Sequence, residues 1–158
     1  MCYNDYGDYM KKIIKIILIV ICMSTIFFFS NDEKNASTKK SDSLIISVTE
    51  RIIGKKLNNT EKEYYTSKFV KPVRKSAHFT IYLVLGLLFI SLLKEYNILD
   101  KRSIIYTVIF VFIYACSDEI HQLFVSGRSC EILDVLIDTL GGFMGTMIYK
   151  LYRRIRHE

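Results

Sequence analysis

Acidic residues and histidines stand at the ends of apolar stretches in this sequence. Asp118 and Glu119 follow the apolar run of residues 103–116, and His121 lies within one helical turn of both. Carboxylates and imidazoles transfer protons and bind divalent metal ions. An ionised side chain costs about 2–3 kcal/mol at the centre of a bilayer and less near its edge. Such groups therefore need partners, either each other or a ligand.

Two further apolar stretches carry polar residues at helical spacing. His78 and Tyr82 are four residues apart, and so are Asp134 and Asp138, so each pair shares one helix face. In a connection, Arg128 offers a guanidinium that pairs with carboxylates or grips a phosphate. We predict that these groups form one polar cluster. Its members are His78, Tyr82, Asp118, Glu119, His121, Gln122, Arg128, Asp134 and Asp138.

Three interpretations of this cluster stay open. In the first, its groups pair with each other and hold three helices together. In the second, carboxylates and histidines bind a divalent ion in an intramembrane hydrolase or transferase, with Asp118, Glu119 and His78 as the reacting groups. In the third, the cluster recognises a headgroup or amphiphile without turnover. No H-E-x-x-H spacing and no Ser-His-Asp or Cys-His spacing occurs, so we assign no metal, cofactor or nucleophile, and we favour a role without catalysis.

The elements that must position the cluster are membrane helices. Half of the 158 residues are hydrophobic, and a span needs roughly 20 mostly apolar residues. Four stretches approach that length: Ile13–Phe29, Ala77–Leu93, Ser103–Val125 and Ile132–Tyr152. The predicted fold is therefore all-α, a multi-pass membrane protein of about four transmembrane helices. Short connections make the last three antiparallel neighbours.

The fourth predicted membrane helix carries a packing signal. Gly141 and Gly145 form a small-xxx-small pattern, which lets helix backbones approach closely. We expect this close packing to bring the two aspartates of that helix toward the third membrane helix.

A polar segment separates the first and second membrane helices. Residues 41–57 place apolar side chains at helical spacing, which predicts a short amphipathic helix on the membrane surface or packed on the bundle. Thr60 to Glu63 has the form of a capping box, and a helix from there is expected to stop before Pro72. The predicted organisation is a cytoplasmic N-terminus with the first helix at 1–30, a partly helical extramembrane segment at 31–75, a three-helix core at 76–152 and a basic tail at 153–158.

The charge distribution argues against nucleic acid as a partner and predicts the orientation of the helices in the membrane. The net charge of +6 comes from Lys and Arg that flank the apolar stretches, which suits anionic lipid headgroups rather than nucleic acid. Lysines before the first helix, the basic second connection and the basic C-terminus fall on one side. The positive-inside rule makes that side cytoplasmic, with both termini inside and the polar cluster outside. The four cysteines share no metal or disulfide spacing.

Three pieces of the sequence resemble the VanZ family, small multi-pass bacterial membrane proteins known from teicoplanin resistance. They are "FFFS" in the first apolar stretch, "RKSAHFTIYLVLG" in the second, and "SDEIHQLFVSGRSCEILDVLIDTLGGFMG" across the third and fourth. The matching region runs from about Phe27 to Tyr149. The resemblance implies an integral cell-membrane protein of about four spans, with a polar motif at one face. The signature positions that it implies are Lys75, His78, Tyr82, Asp118, Glu119, Gln122, Arg128 and Asp134, and more loosely Asp138.

Two positions depart from the family pattern. Ile81 stands where many members carry an acid, and Ser126 where many have proline. The missing acid removes one candidate ligand and weakens the metal interpretation. The resemblance implies reduced susceptibility to teicoplanin-type glycopeptides. The expected partners are membrane lipids and a lipid-linked cell-wall precursor or a glycopeptide.

Overall fold

The computed structural model describes residues 2–31, 34–125 and 130–156, and the side chains of residues 2–5 and 34–40 are left aside. Throughout these ranges the regular secondary structure is helical, which confirms the predicted all-α class. The helices are α1 Cys2–Asn31, α2 Lys34–Ile53, α3 Asn59–Glu95, α4 Asp100–Gln122 and α5 Ile132–Ile155.

Helices α1, α3, α4 and α5 are long and apolar enough to cross a membrane, which confirms the four predicted spans. Only 22 to 33% of the most apolar window of each helix is buried inside the protein. The remaining apolar surface faces outward, as it does where lipid replaces water as the solvent. The small interior is formed by residues of all four spans, among them Ile26, Leu85, Val111 and Val135.

Helix α3 runs unbroken through Pro72, and the expected stop before that residue is wrong. Proline removes one hydrogen bond to the carbonyl four residues back, which here belongs to Lys68. Both residues are exposed, so the freed carbonyl remains open to solvent. The helix also begins earlier than the capping pattern predicted. Asn58 caps the backbone N–H of Glu61 at 2.8 Å, and the Glu61 carboxylate accepts from the Asn58 N–H at 3.0 Å.

Glycines bring α5 against α3. A Cβ atom at Gly145 would lie 2.0 Å from the Leu83 carbonyl oxygen, and one at Gly141 would lie 2.5 Å from that of Phe79. These two glycines therefore pack on α3. The neighbouring Gly142 faces α4 instead, through Val111. The expected approach of the aspartates to the third membrane helix, α4, is seen at Asp138, which has a carboxylate oxygen within 4.8 Å of one of Asp118. Helix α5 consequently sits between α3 and α4 and contacts both.

Helix α2 packs against α3 and also presents apolar side chains outward. Ile45 is buried, whereas Leu44, Val48 and Ile52 are exposed along a stripe with a spacing of four residues. The helical pattern predicted through Leu57 ends at Ile53, because Gly54 adopts a φ of 74° and turns the chain. The burial of Ile45 supports the expectation that this helix packs on the bundle. Contact of its exposed apolar stripe with lipid stays a prediction.

The basic flanks meet at one end of the bundle. The Lys15 ammonium donates to Glu95 at 2.5 Å and to the Ser91 carbonyl at 3.1 Å, so α1 begins its span where α3 ends. A groove of about 470 Å³ at this basic end is lined by Lys94, Asp100, Lys150, Arg153 and Arg154, among others. The polar cluster lies at the opposite ends of the same helices.

Candidate functional site

A polar cleft opens at the end of the bundle where α4 ends and α5 begins. Side chains from α3, α4 and α5 line it, and α1 closes one flank. The lining residues are Arg74, Lys75, His78, Glu119, Gln122, Asp134, Ile137 and Asp138. Helix alternation thus brings together groups that are 60 residues apart in the sequence.

Lys75 forms the rim of the cleft. Its ammonium donates to a carboxylate oxygen of Asp134 and to Glu131 at 3.1 Å. These bonds hold the pKa of the Glu131 carboxyl below its usual range, because its charged form accepts a hydrogen bond from a cation. Lys75, a position implied by the family resemblance alone, therefore ties α3 to the start of α5 and places a positive charge at the entrance.

Glu119 links the end of α4 to the start of α5. Its side chain is 2% exposed, and it accepts the backbone N–H of Glu131 at 2.9 Å. That N–H belongs to the residue preceding the first turn of α5, where no helical partner is available. The acid therefore has a positioning role at the wall of the cleft.

Asp118 lies deeper, in a hydrogen-bonded trio with α1. The Ser30 hydroxyl donates to an Asp118 carboxylate oxygen at 2.8 Å, and the Gln122 amide donates to the same oxygen at 3.2 Å. All three side chains are buried. Ser30 ends the "FFFS" piece but was absent from the predicted cluster, because a serine at the end of an apolar run carries no local signal of its partner.

His78, Asp118 and Asp138 converge at the centre of the site. One ligand-type atom from each lies within 4.8 Å of the others. The His78 Nδ1 and the Asp138 Oδ2 are 3.8 Å apart, which is beyond hydrogen-bonding distance. Asp138 is 1% exposed, and its Oδ2 has no hydrogen-bond partner among the described residues.

Tyr82 forms the floor, one turn below His78. The residue is fully buried, and its hydroxyl likewise lacks a hydrogen-bond partner within the described ranges. The charges that act on this hydroxyl include those of Asp118 and Asp138. An unpaired buried hydroxyl costs about 1–3 kcal/mol, so the floor has unused hydrogen-bonding capacity.

His121, a predicted member of the cluster, does not line the cleft. Its ring stacks on Phe27 of α1, with ring centroids 4.5 Å apart. Arg128 lies outside the described residues. Of the other described members, Asp118 and Tyr82 are buried behind the lining, and the rest line the cleft.

The size of the cleft limits what it can hold. Its free interior volume is about 10 Å³, close to the space that a single water molecule requires. A headgroup can therefore be bound at the rim, but the interior accepts only a water or an ion.

The family model described as VanZ/LLP1 matches residues 15–153, from the first span to the end of the last. No curated protein and no solved structure matches the chain.

Proposed function

Because the chain belongs to the VanZ/LLP1 family, we propose that it acts in the bacterial cell envelope by recognising a polar headgroup at the mouth of the cleft. In this proposal the ligand is a lipid-linked cell-wall precursor, and its capture lowers susceptibility to teicoplanin-type glycopeptides. The observation that carries the proposal is a charged cleft at the membrane end of three packed spans, with a cationic rim above buried carboxylates.

The rim suits an anionic amphiphile. Arg74 and Lys75 supply the positive charges of the lining, and a phosphate next to a lipid tail would reach them at the depth where the spans end. Asp134 and Glu131 already share the Lys75 ammonium, so they fix its position before a ligand arrives. The remaining carboxylate oxygens of these acids can accept hydrogen bonds from the amines or hydroxyls of a sugar or peptide.

Binding without turnover fits this geometry better than catalysis. An interior of about 10 Å³ cannot engulf a scissile bond. Among the described residues, the cleft lining holds no serine or cysteine next to a base. The hydrolase or transferase alternative draws its support from the convergence of His78, Asp118 and Asp138. It predicts release of phosphate, or of a headgroup, from a lipid-linked precursor by the purified protein.

The test compares two ion pairs at opposite ends of the apolar part of α3. Lys75→Ala removes the cation at the cleft, and Lys94→Ala removes its counterpart beside Asp100 at the far end. Losing a charge-assisted hydrogen bond costs about 1.5–3 kcal/mol, so Lys75→Ala should weaken precursor binding by about 10- to 100-fold. Binding is measured on nanodisc-embedded protein with a fluorescent lipid-linked precursor.

Growth provides the second measurement. Wild-type protein expressed in a teicoplanin-susceptible host should raise the inhibitory concentration of teicoplanin. Lys75→Ala should abolish that increase, and Lys94→Ala should retain it at equal membrane abundance. Equal loss in both variants, or no increase with the wild type, would contradict the proposal.

A further inference from the structure

We propose that His78, Asp118 and Asp138 bind a first-row divalent metal ion, zinc or manganese, at the base of the cleft. The inference deepens the function proposed above, because it assigns an ion to the interior of the same cleft. It depends on the observed geometry of three side chains and on two buried polar atoms that have no hydrogen-bond partner among the described residues.

The distances suit coordination better than direct pairing. Ligand atoms held about 2.1 Å from one ion lie about 3–4 Å from each other. The 3.8 Å between His78 Nδ1 and Asp138 Oδ2 falls in that range. It is too long for the hydrogen bond that an imidazole and a buried carboxylate would otherwise form.

Charge also favours a cation. Asp118 and Asp138 are 4% and 1% exposed, and two carboxylates this close repel each other in a medium of low dielectric constant. The Lys75 ammonium is engaged by Glu131 and Asp134 at the rim, and Arg74 lines the mouth. A divalent ion beside a neutral His78 would balance both buried acids.

The unpaired atoms mark where the ion and its water would sit. Asp138 Oδ2 lies 3.8 Å from His78 Nδ1. Neither this oxygen nor the buried hydroxyl of Tyr82, one turn from His78, has a hydrogen-bond partner among the described residues. An ion would use Oδ2 directly, and a water bound to that ion would give the hydroxyl the partner it lacks. The free volume of about 10 Å³ has room for this and little more.

The ligand types select the metal. One imidazole with two carboxylates suits zinc or manganese, whereas magnesium and calcium prefer oxygen ligands alone. The Ser30 and Gln122 bonds to Asp118 would orient that carboxylate from behind, as outer groups do in other metal sites.

Metal content measured on the full chain tests the proposal. Protein in nanodiscs is stripped with EDTA, equilibrated with zinc chloride in the presence of excess magnesium, separated from free ion and analysed by elemental mass spectrometry. We expect one zinc per wild-type chain. Asp118→Asn and Asp138→Asn should lose affinity by on the order of 100-fold or more, while Asp100→Asn, an acid at the opposite end of the bundle, should retain it.

Three results would overturn the site. They are a wild type that takes up no zinc, zinc that magnesium displaces, and zinc retained equally by Asp138→Asn. Zinc uptake by the wild type tests the metal site by itself. The proposal therefore stays testable even if a variant fails to fold. Zinc binding without any effect on teicoplanin would remove the proposed function and leave the metal site standing.

Discussion

The bond from Ser30 to Asp118 shows what a single residue contributes to the cleft. The hydroxyl of Ser30 stands at the end of α1 and reaches a carboxylate on α4 at 2.8 Å. A buried carboxylate needs donors to stay ionised. No residue of the first helix belongs to the cleft lining as the structure describes it. Through this one bond, the first helix nevertheless holds an acid of the site in place.

At Glu131, outside the spans, the ion pair with Lys75 makes a pH-dependent contribution to stability. Lys75 lowers the pKa of this carboxyl, so the folded state favours its charged form. The contribution is therefore present above the ordinary glutamate pKa of about 4.3 and is lost as pH falls through the lowered value. An exposed pair contributes at most about 1 kcal/mol. Glu131→Gln should lower the melting temperature slightly at neutral pH.

The melting-temperature difference between Glu131→Gln and wild type should disappear on acidification. Thermal unfolding in micelles across this pH range measures it. Glu63→Gln, an exposed acid on α3 away from the cleft, serves as the matched control. A difference that persists at low pH would show that the substitution acts through something other than the Lys75 pair.

At the scale of elements, the α3–α5 contact depends on the absence of side chains. The pattern at Gly141 and Gly145 identifies a face for close approach, but the pattern does not name the partner helix. Local sequence cannot do so, because Phe79 and Leu83 contribute backbone oxygens rather than recognisable side chains to the contact.

Gly145→Ala should destabilise the bundle. Its Cβ would lie 2.0 Å from the Leu83 carbonyl oxygen, and backbone atoms cannot rotate away, so α3 and α5 must separate. Overpacking of this kind costs about 1–3 kcal/mol. Gly7→Ala is the control, since a Cβ there meets nothing within 4 Å and alanine favours a helix by up to about 1 kcal/mol. Unfolding in a denaturing detergent should show a lower stability for Gly145→Ala than for Gly7→Ala. Equal stabilities of the two variants would refute the close contact between α3 and α5.

The outward stripe of α2 carries the second prediction for an element. Leu44, Val48 and Ile52 are exposed on one face, and we expect them to rest in the lipid interface. A polarity-sensitive dye on Val48→Cys, in a variant lacking the native cysteines, should emit at shorter wavelength in nanodiscs than the same dye on Lys55→Cys. Identical emission from the two positions would place the stripe in water.

At the scale of the whole molecule, the bundle has two chemically different ends. One carries the lysines and arginines that flank the spans, and the other carries the cleft. Helix periodicity and short connections were enough to predict this division and to unite His78, Asp118 and Asp138. They could not reveal the continuous α3, because the penalty at Pro72 depends on whether the freed carbonyl is hydrated, which the local sequence does not encode.

Orientation in the membrane is tested at Cys130, an exposed thiol beside the cleft. With the other three cysteines replaced by alanine, a membrane-impermeant maleimide should label Cys130 in intact cells if the basic end is cytoplasmic. Desolvation by neighbouring atoms and the charge of Glu119 raise the pKa of this thiol, so labelling should accelerate as pH rises. Labelling that requires permeabilised cells would reverse the orientation.

The length of α3 has a mechanical consequence. A helix of 37 residues extends about 55 Å, nearly twice the roughly 30 Å of bilayer hydrocarbon, so its first third projects from the membrane with α2 attached. Pro72 stands near the start of the apolar part of α3, and the helix lacks one backbone hydrogen bond there. Arg74 and Lys75 follow within three residues. A change in the position of α2 would therefore be transmitted along α3 to the backbone next to the cations at the entrance of the cleft.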